Sequence, residues 1–345
     1  NDHQEFFIEE YKKVQEAYEA LSNSSILATE KGARIGTSDK KSFSTKKTKI
    51  ISPVKPTTKN TSLTKKILVG VAIIALIIFG ITYTVSKASS PPNPVYLDAN
   101  GITIKAHKWA KIGDQGTIDD VLYTIVDKDS LLVMIEKGYF VNRVCTSLMT
   151  DMSRLFHKRT AFNQDISNWD VSNVNNMNSM FQDAESFNQP IGDWDVSNVT
   201  RMEFMFSGAN SFNQPIGTWD VSKVNNMTAM FSGMVSLGYN DRIEYVYETN
   251  LNFNQPIGGW DISNVKIMDL MFANASSFNQ DLSSWNVSNV ITMRGMFYGA
   301  SSFNQSLDSW GTSKKYTYYY SDRYTKYGFS ENTPNWTLPK PMFKK

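Results

Sequence analysis

From Phe162 to Trp310 the apolar positions recur in one order: Phe, then Ile or Leu, Trp, two Val, Met and Met-Phe, separated by Asn, Gln, Asp and Ser. Phe-Asn-Gln begins at Phe162, Phe187, Phe212, Phe253, Phe278 and Phe303, and a tryptophan follows at Trp169, Trp194, Trp219, Trp260, Trp285 and Trp310. The step is 25 residues, apart from one of 41 between Trp219 and Trp260. A fixed period in this range marks a stacked array of small units, a solenoid, in place of one folded core. A single unit exposes more apolar surface than it can cover alone, whereas against the next copy each Phe, Trp and Met meets its equivalent. Each such side chain contributes roughly 1.5–3 kcal/mol when buried, so several units are needed before any is stable.

The polar positions repeat as strictly. Asn163, Asn188, Asn213, Asn254, Asn279 and Asn304 hold one place beside the Phe, where an amide can satisfy the backbone of a tight turn. A second column, Ser172-Asn173, Ser197-Asn198, Ser263-Asn264 and Ser288-Asn289, is interrupted by Lys223 after Ser222. Both read as structural ladders. Asp170, Asp195, Asp220 and Asp261 form a third column, replaced by Asn286 and Gly311 in the last units. Carboxylates stacked about 5 Å apart repel unless each is hydrogen-bonded, paired or bridged by a cation such as calcium; capping of the following turn is the expected role.

These residues, written FNQxIxxWDVSNVxxMxxMF, resemble the repeat of the BspA-like leucine-rich-repeat surface proteins, over about residues 140 to 310. The resemblance implies an α/β, leucine-rich-repeat-like solenoid of 25-residue coils over 161–311, displayed outside the cell for adhesion or protein binding, with no catalytic residues.

On either side of the coils the pattern changes. VYLDANGITIKAHKW alternates around Asn100-Gly101 and predicts a β-hairpin. LYTIVD (122–127) predicts a strand, and a short helix capped by Ser130 and closed by Gly138 follows. Val144, Met149, Met152, Leu155 and Phe156 repeat the spacing of a degenerate first coil, so 95–160 reads as an α+β N-terminal cap. After Trp310 the repeat decays, and Tyr318, Tyr320, Phe329 and Trp336 suit a C-terminal cap within 312–345. Its interleaved Tyr and Lys could stack on single-stranded nucleic acid, but for an exported segment no nucleic-acid partner is expected.

The first ninety residues are of another kind. EFFIEEYKKVQEAYEAL (5–21) puts Phe7, Tyr11, Val14, Tyr18 and Leu21 on one helical face. YKKVQEAYEALS also resembles the third helix of J domains, through Tyr11, Lys12, Val14, Glu16, Ala17, Tyr18, Leu21 and Ser22, so 1–25 reads as a truncated J-domain-like helix. The His-Pro-Asp motif of that family is absent, since Gln4 follows His3. Lys, Ser and Thr dominate 26–66, the composition of a disordered basic linker. ILVGVAIIALIIFGITYTV (67–85) carries no charge and has the length of a transmembrane helix, placed at 67–86 and followed by a Pro-rich spacer, 87–94. Lysines crowd its amino-terminal side, which predicts that side cytoplasmic and the coils extracellular or luminal.

The remaining composition narrows the chemistry. Thirty-five basic and 33 acidic residues leave a net charge of +2, which does not call for nucleic acid. One cysteine, Cys145, excludes an intramolecular disulfide framework, and three scattered histidines give no zinc spacing. No nucleophile, acid–base pair or phosphate loop stands out, so no enzyme activity, metal or cofactor is expected. The longer step hides an insertion, 234–250, that carries Tyr239, Arg242, Tyr245 and Tyr247 around an Asn240-Asp241 turn. Insertions emerge from one face of a solenoid, often the binding face, and Tyr and Arg suit a binding hot spot. The expected function is a single-pass, surface-displayed, non-enzymatic scaffold that binds a protein or glycan. The alternative is a membrane-tethered J-domain co-chaperone recruiting a DnaK-type chaperone.

Overall fold

In the computed structural model each 25-residue unit is a closed circuit of turns. Within residues 187–212 the N–H groups of Trp194, Val199, Met205, Ala209 and Phe212 donate to carbonyls three residues back, at Ile191, Val196, Met202, Phe206 and Ala209. The structure describes residues 91–239, 242–248, 251–310 and 328–341. The helix expected at 5–21, the linker, the apolar run 67–85 and Tyr318 and Tyr320 lie outside the described residues. Among the described residues no helix is long and apolar enough to cross a membrane.

Successive coils are joined by parallel bridges, Asp151↔Asn176↔Arg201↔Asn226↔Ile267↔Thr292. From each bridge a row of backbone bonds runs to the next coil: Met202, Phe204, Phe206 and Gly208 donate to Asn226, Thr228, Met230 and Ser232 at 3.2, 2.8, 3.0 and 2.9 Å. Donors on alternate residues would suit a strand, yet the row turns left-handed twice, at Phe204 (φ 56°) and Gly208 (φ 68°). Ser179 and Asp183 repeat this one coil earlier, and Leu270 and Asn274 repeat it later. Such a conformation costs a non-glycine residue about 1–2 kcal/mol, and the bonds to the neighbouring coil hold it in place. The described coils from Thr146 to Trp310 therefore contain bridges and turns but no α-helix, and their strands are confined to the insertion.

The core is made of columns. Phe156, Phe181, Phe206, Phe231, Phe272 and Phe297 stack at 5.3–5.8 Å between ring centroids. Phe162, Phe187, Phe212, Phe253, Phe278 and Phe303 form a second column at 5.9–6.1 Å. Inside one coil the two columns touch, as Phe206 and Phe212 do at 4.0 Å. The six ladder tryptophans are buried too, and each of their indole N–H groups finds a carbonyl earlier in the chain, as Trp194 on Ile166, Trp219 on Ile191 and Trp260 on Ile216 do at 3.0–3.2 Å. Burial of these large rings thus leaves no indole donor unpaired along the ladder.

The asparagine column works differently from the sequence expectation. Its amide oxygens serve the neighbouring coil, and not a turn of their own: Asn163 Oδ1 accepts the Asn188 N–H, and the relay continues through Asn213, Asn254, Asn279 and Asn304 at 2.8–3.0 Å. The glutamine that follows adds a second bond to the same oxygen, as Gln214 Nε2 does to Asn188 at 2.9 Å. In the other column Asn198, Asn264 and Asn289 donate to the serine carbonyl of the coil before. Lys223, standing where that asparagine is missing, reaches Asn198 Oδ1 at 2.6 Å.

Both ends are closed. Strands β1 (Val95–Leu97) and β2 (Ile104–Ala106) pair antiparallel. Strands β3 (Gln115–Ile118), β4 (Val121–Ile125) and β5 (Val144–Cys145) form a mixed sheet, with β5 parallel to β4. Ile104 bridges Trp169, which ties this region to the first coils. Helix α1 (Lys128–Glu136) starts earlier than expected, because Asp127, not Ser130, is its N-cap: Asp127 Oδ1 accepts the Ser130 N–H at 2.8 Å. At the other end, Phe297 and Gly299 donate to Phe329 and Glu331 as they would to a further coil. Phe329 and Trp336 meet Phe297 edge-on, at 79° and 74°, and this ends the face-to-face stack.

Trp219 combines full-size burial with one of these inter-coil bonds. Trp219→Ala is expected to lower the unfolding free energy by about 3–5 kcal/mol in urea denaturation, and Trp219→Phe by a smaller amount. A loss no larger than that of an exposed substitution such as Thr218→Ala would place the tryptophan column outside the stabilising core.

Candidate interaction site

The insertion forms a hairpin, β6 (Met234–Tyr239) with β7 (Arg242–Glu248). In regular coils the second left-handed residue is followed by one buried alanine, Ala184, Ala209, Ala275 or Ala300. Residues 234–250 stand in place of that single alanine. On one side of the gap the Gly233 N–H still donates to Ala273 at 2.8 Å, and on the other the Asn252 N–H donates to Asn210 at 3.0 Å. The asparagine relay also crosses the long step unchanged, with the Asn254 N–H on Asn213 Oδ1 at 3.0 Å. Beside the exit point Ala229, Leu270 and Ala273 form a small separate cluster, with Phe204 and Tyr298 packed against it.

The hairpin register places the four residues singled out by sequence. Tyr239 and Arg242 form the cross-strand pair next to the turn, while Tyr245 pairs with Ser236 and Tyr247 with Val235. A register shift between Val235 and Ser236 leaves Val246 as the extra residue of β7. The Asn240-Asp241 turn itself lies outside the described residues.

The aspartate column is occupied with turns. Asp195, Asp220 and Asp261 each accept the N–H of the serine two residues on, at 3.0–3.1 Å, and Asn286 does the same for Ser288. Hydrogen bonds from Ser222 and Ser263 hold the carboxyls of Asp220 and Asp261 below the ordinary carboxylate range. Among the described residues no group of three or more His, Cys, Asp or Glu side chains could hold a metal ion. Cys145 is buried, and burial raises its thiol pKa, which keeps it protonated and unreactive.

Two features escaped the sequence reading. Tyr96, His107 and Trp109 form an exposed aromatic row on the cap, with Tyr96 4.8 Å from His107 and His107 stacked on Trp109 at 5.7 Å. Its signal was available, since Lys105, His107 and Trp109 alternate on the parity opposite to buried Ile104. The second is Asp183, which is 7% exposed, with neither carboxylate oxygen bonded. Burial pushes its carboxyl up to about 6, Glu185 adds to this and Lys158 opposes it. A signal was available in the repeat: other coils carry Gly208, Gly233, Asn274 and Gly299 at this place, whereas the remaining Asp column follows the tryptophan.

A family model described as "Mycoplasma protein of unknown function, DUF285" matches residues 136–242 and 240–336, which together span more than half of the chain. The two stretches meet at the hairpin turn, and neither reaches the J-domain-like residues 5–22, so the match lends that resemblance no support. No curated protein and no solved structure matches the chain.

Asp183 yields a test by pH. Its proton is held more tightly in the folded chain, at about 6, than in the unfolded one, at 3.8, so its contribution to stability falls as pH rises through that window and stays low above it. His157 has the opposite slope: burial, aided by Arg154 and Lys158, lowers its imidazole from 6.5 to about 4, and stability rises between those values. The two slopes oppose each other in the intact protein, so the informative quantity is a difference. Asp183→Asn places at 183 the residue that Asn274 already provides at the equivalent left-handed position (φ 55°). The variant's gain in unfolding free energy should grow from near zero at about pH 4 to at most about 3 kcal/mol above the folded pKa. A gain that does not vary with pH in urea melts would mean that the carboxylate is solvated.

Proposed function

The chain belongs to the DUF285 family of mycoplasma proteins, and from that membership we propose that it is a membrane-anchored, BspA-like surface protein. In this reading the stacked coils form a leucine-rich-repeat-like solenoid whose turns, not the helices expected of an α/β coil, close each unit. Residues 67–85 anchor it, with the amino terminus cytoplasmic and the coils outside. Its role is non-enzymatic: a scaffold for protein binding or adhesion.

The observation that carries the reading is the hairpin. Every regular coil offers nearly the same Asn, Gln, Ser and Asp, and these polar atoms are spent on neighbouring coils, for Asn and Gln, or on the coil's own turn, for Asp and Ser. A specific partner therefore needs something that departs from the repeat. Residues 234–250 depart from it without disturbing the ladders around them. Tyr239, Arg242, Tyr245 and Tyr247 supply large rings with polar tips and a planar cation, a composition suited to a protein or glycan on the extracytoplasmic side.

Replacing 234–250 by one alanine restores the regular step and is expected to leave stability within about 1 kcal/mol, because loop closure depends weakly on length. The same variant should lose binding in a screen of the purified chain against immobilised matrix glycoproteins and glycans. Equal binding by parent and variant would move the site elsewhere. Topology has its own readout: protease added to intact cells should remove the coils and spare residues 1–60, and protected coils would refute the orientation.

A further inference from the structure

The row of rings on the cap has no place in the core it sits beside. Val95, Ile104, Ala110, Ile125 and Cys145 form the buried cluster of this region, and Tyr96 and Trp109 lie outside it at 38% and 49% exposure. Lys108 and Lys111 flank the row, both exposed, and Ile112 next to them is 52% exposed. An exposed set of Tyr, His and Trp bordered by lysines has the composition of a bilayer interface, where amphipathic rings settle at headgroup level and lysines reach phosphates.

Chain length supplies the second argument. Tyr96 follows Val85, the last residue of the apolar run, by eleven residues. At roughly 3.3–3.6 Å per residue even a fully extended link is about 40 Å long, comparable to the thickness of one bilayer. Pro91, Pro92 and Pro94 stiffen that short link. The rings are therefore held at a high effective concentration near the membrane surface, and weak individual contacts add up.

We propose that Tyr96, His107 and Trp109 rest in the headgroup layer of the same bilayer that residues 67–85 cross, with Lys108 and Lys111 against lipid phosphates. The cap then is the membrane-facing end of the stack. This rests on the anchoring reading above.

The full chain in single-chain nanodiscs of phosphatidylcholine with phosphatidylglycerol tests it. A nitroxide label is placed at Lys108→Cys, Lys223→Cys or Leu76→Cys, and its access to oxygen and to a water-soluble nickel chelate is measured; the native thiol at Cys145 is buried and does not compete. The label at 76 should read as bilayer core, the label at 223 as water, and the label at 108 as headgroup, with nickel access several-fold below that at 223. Tyr96→Ser with Trp109→Ser should return the label at 108 to water while leaving the mobility at 223 unchanged. A water-like label at 108 beside a core-like label at 76 overturns the inference alone. A water-like label at 76 overturns the anchoring reading, and this inference with it. Shielding at 108 that appears only when two chains share a disc assigns the row to a second copy and equally overturns the proposal.

Discussion

A coil of 25 residues cannot satisfy its own backbone, and everything else in the stack answers to that constraint. The N–H groups of Met202, Phe204, Phe206 and Gly208 have no acceptor within their coil and take carbonyls of the next one. An unpaired buried group costs about 1–3 kcal/mol, so a coil without its neighbour is penalised several times over. The asparagine relay extends the same logic to the opposite wall, where the Asn188, Asn213 and Asn254 N–H groups rely on a side chain of the coil before. The stack therefore gains stability from interfaces, and each interface is both apolar and hydrogen-bonded.

Such an arrangement needs an end as much as a middle. Phe297 would present an open ring face and free backbone donors, and residues 328–341 meet both needs. Phe329 and Glu331 accept the donors, while Phe329 and Trp336 turn edge-on to the ladder, so no further ring can stack in register. Trp336 departs from the other tryptophans in one respect. Its indole N–H is buried without a partner among the described residues, whereas the six in the ladder all reach a carbonyl.

How far this could be read from sequence depends on the range of each interaction. The Phe, Trp and Met columns were legible because identical residues at one spacing need no knowledge of geometry, and the insertion followed from the break in that spacing. The Asn100-Gly101 hairpin was legible because its signal is local. The direction of the asparagine bonds was not: an amide beside a turn can serve that turn or the next coil, and local sequence is the same in both cases. The left-handed residues were hidden for a related reason, since Phe204 and Leu270 have no preference for that conformation and adopt it only because the neighbour's carbonyls demand it. The burial of Asp183 was hidden because it comes from the coils around it. At the site the four residues of the hairpin were visible as composition, and the pairing of Tyr239 with Arg242 became visible only with the register.

On the proposed reading, nearest-neighbour coupling also explains why an adhesive surface would be built this way. In a stack where each coil contacts only the ones beside it, a change in one coil propagates weakly to distant ones. The hairpin begins and ends between bonds that already join adjacent coils, Gly233 to Ala273 and Asn252 to Asn210, so its seventeen residues can vary while the ladders on either side keep their geometry. Lys223 makes the same point at the scale of one residue. It replaces a ladder asparagine, puts a cation on the surface, and still bonds Asn198 in the coil before. Specificity can then be altered at one corner of one coil without renegotiating the core. A single globular core lacks that freedom, because there a new surface residue more often touches packing shared by the whole domain.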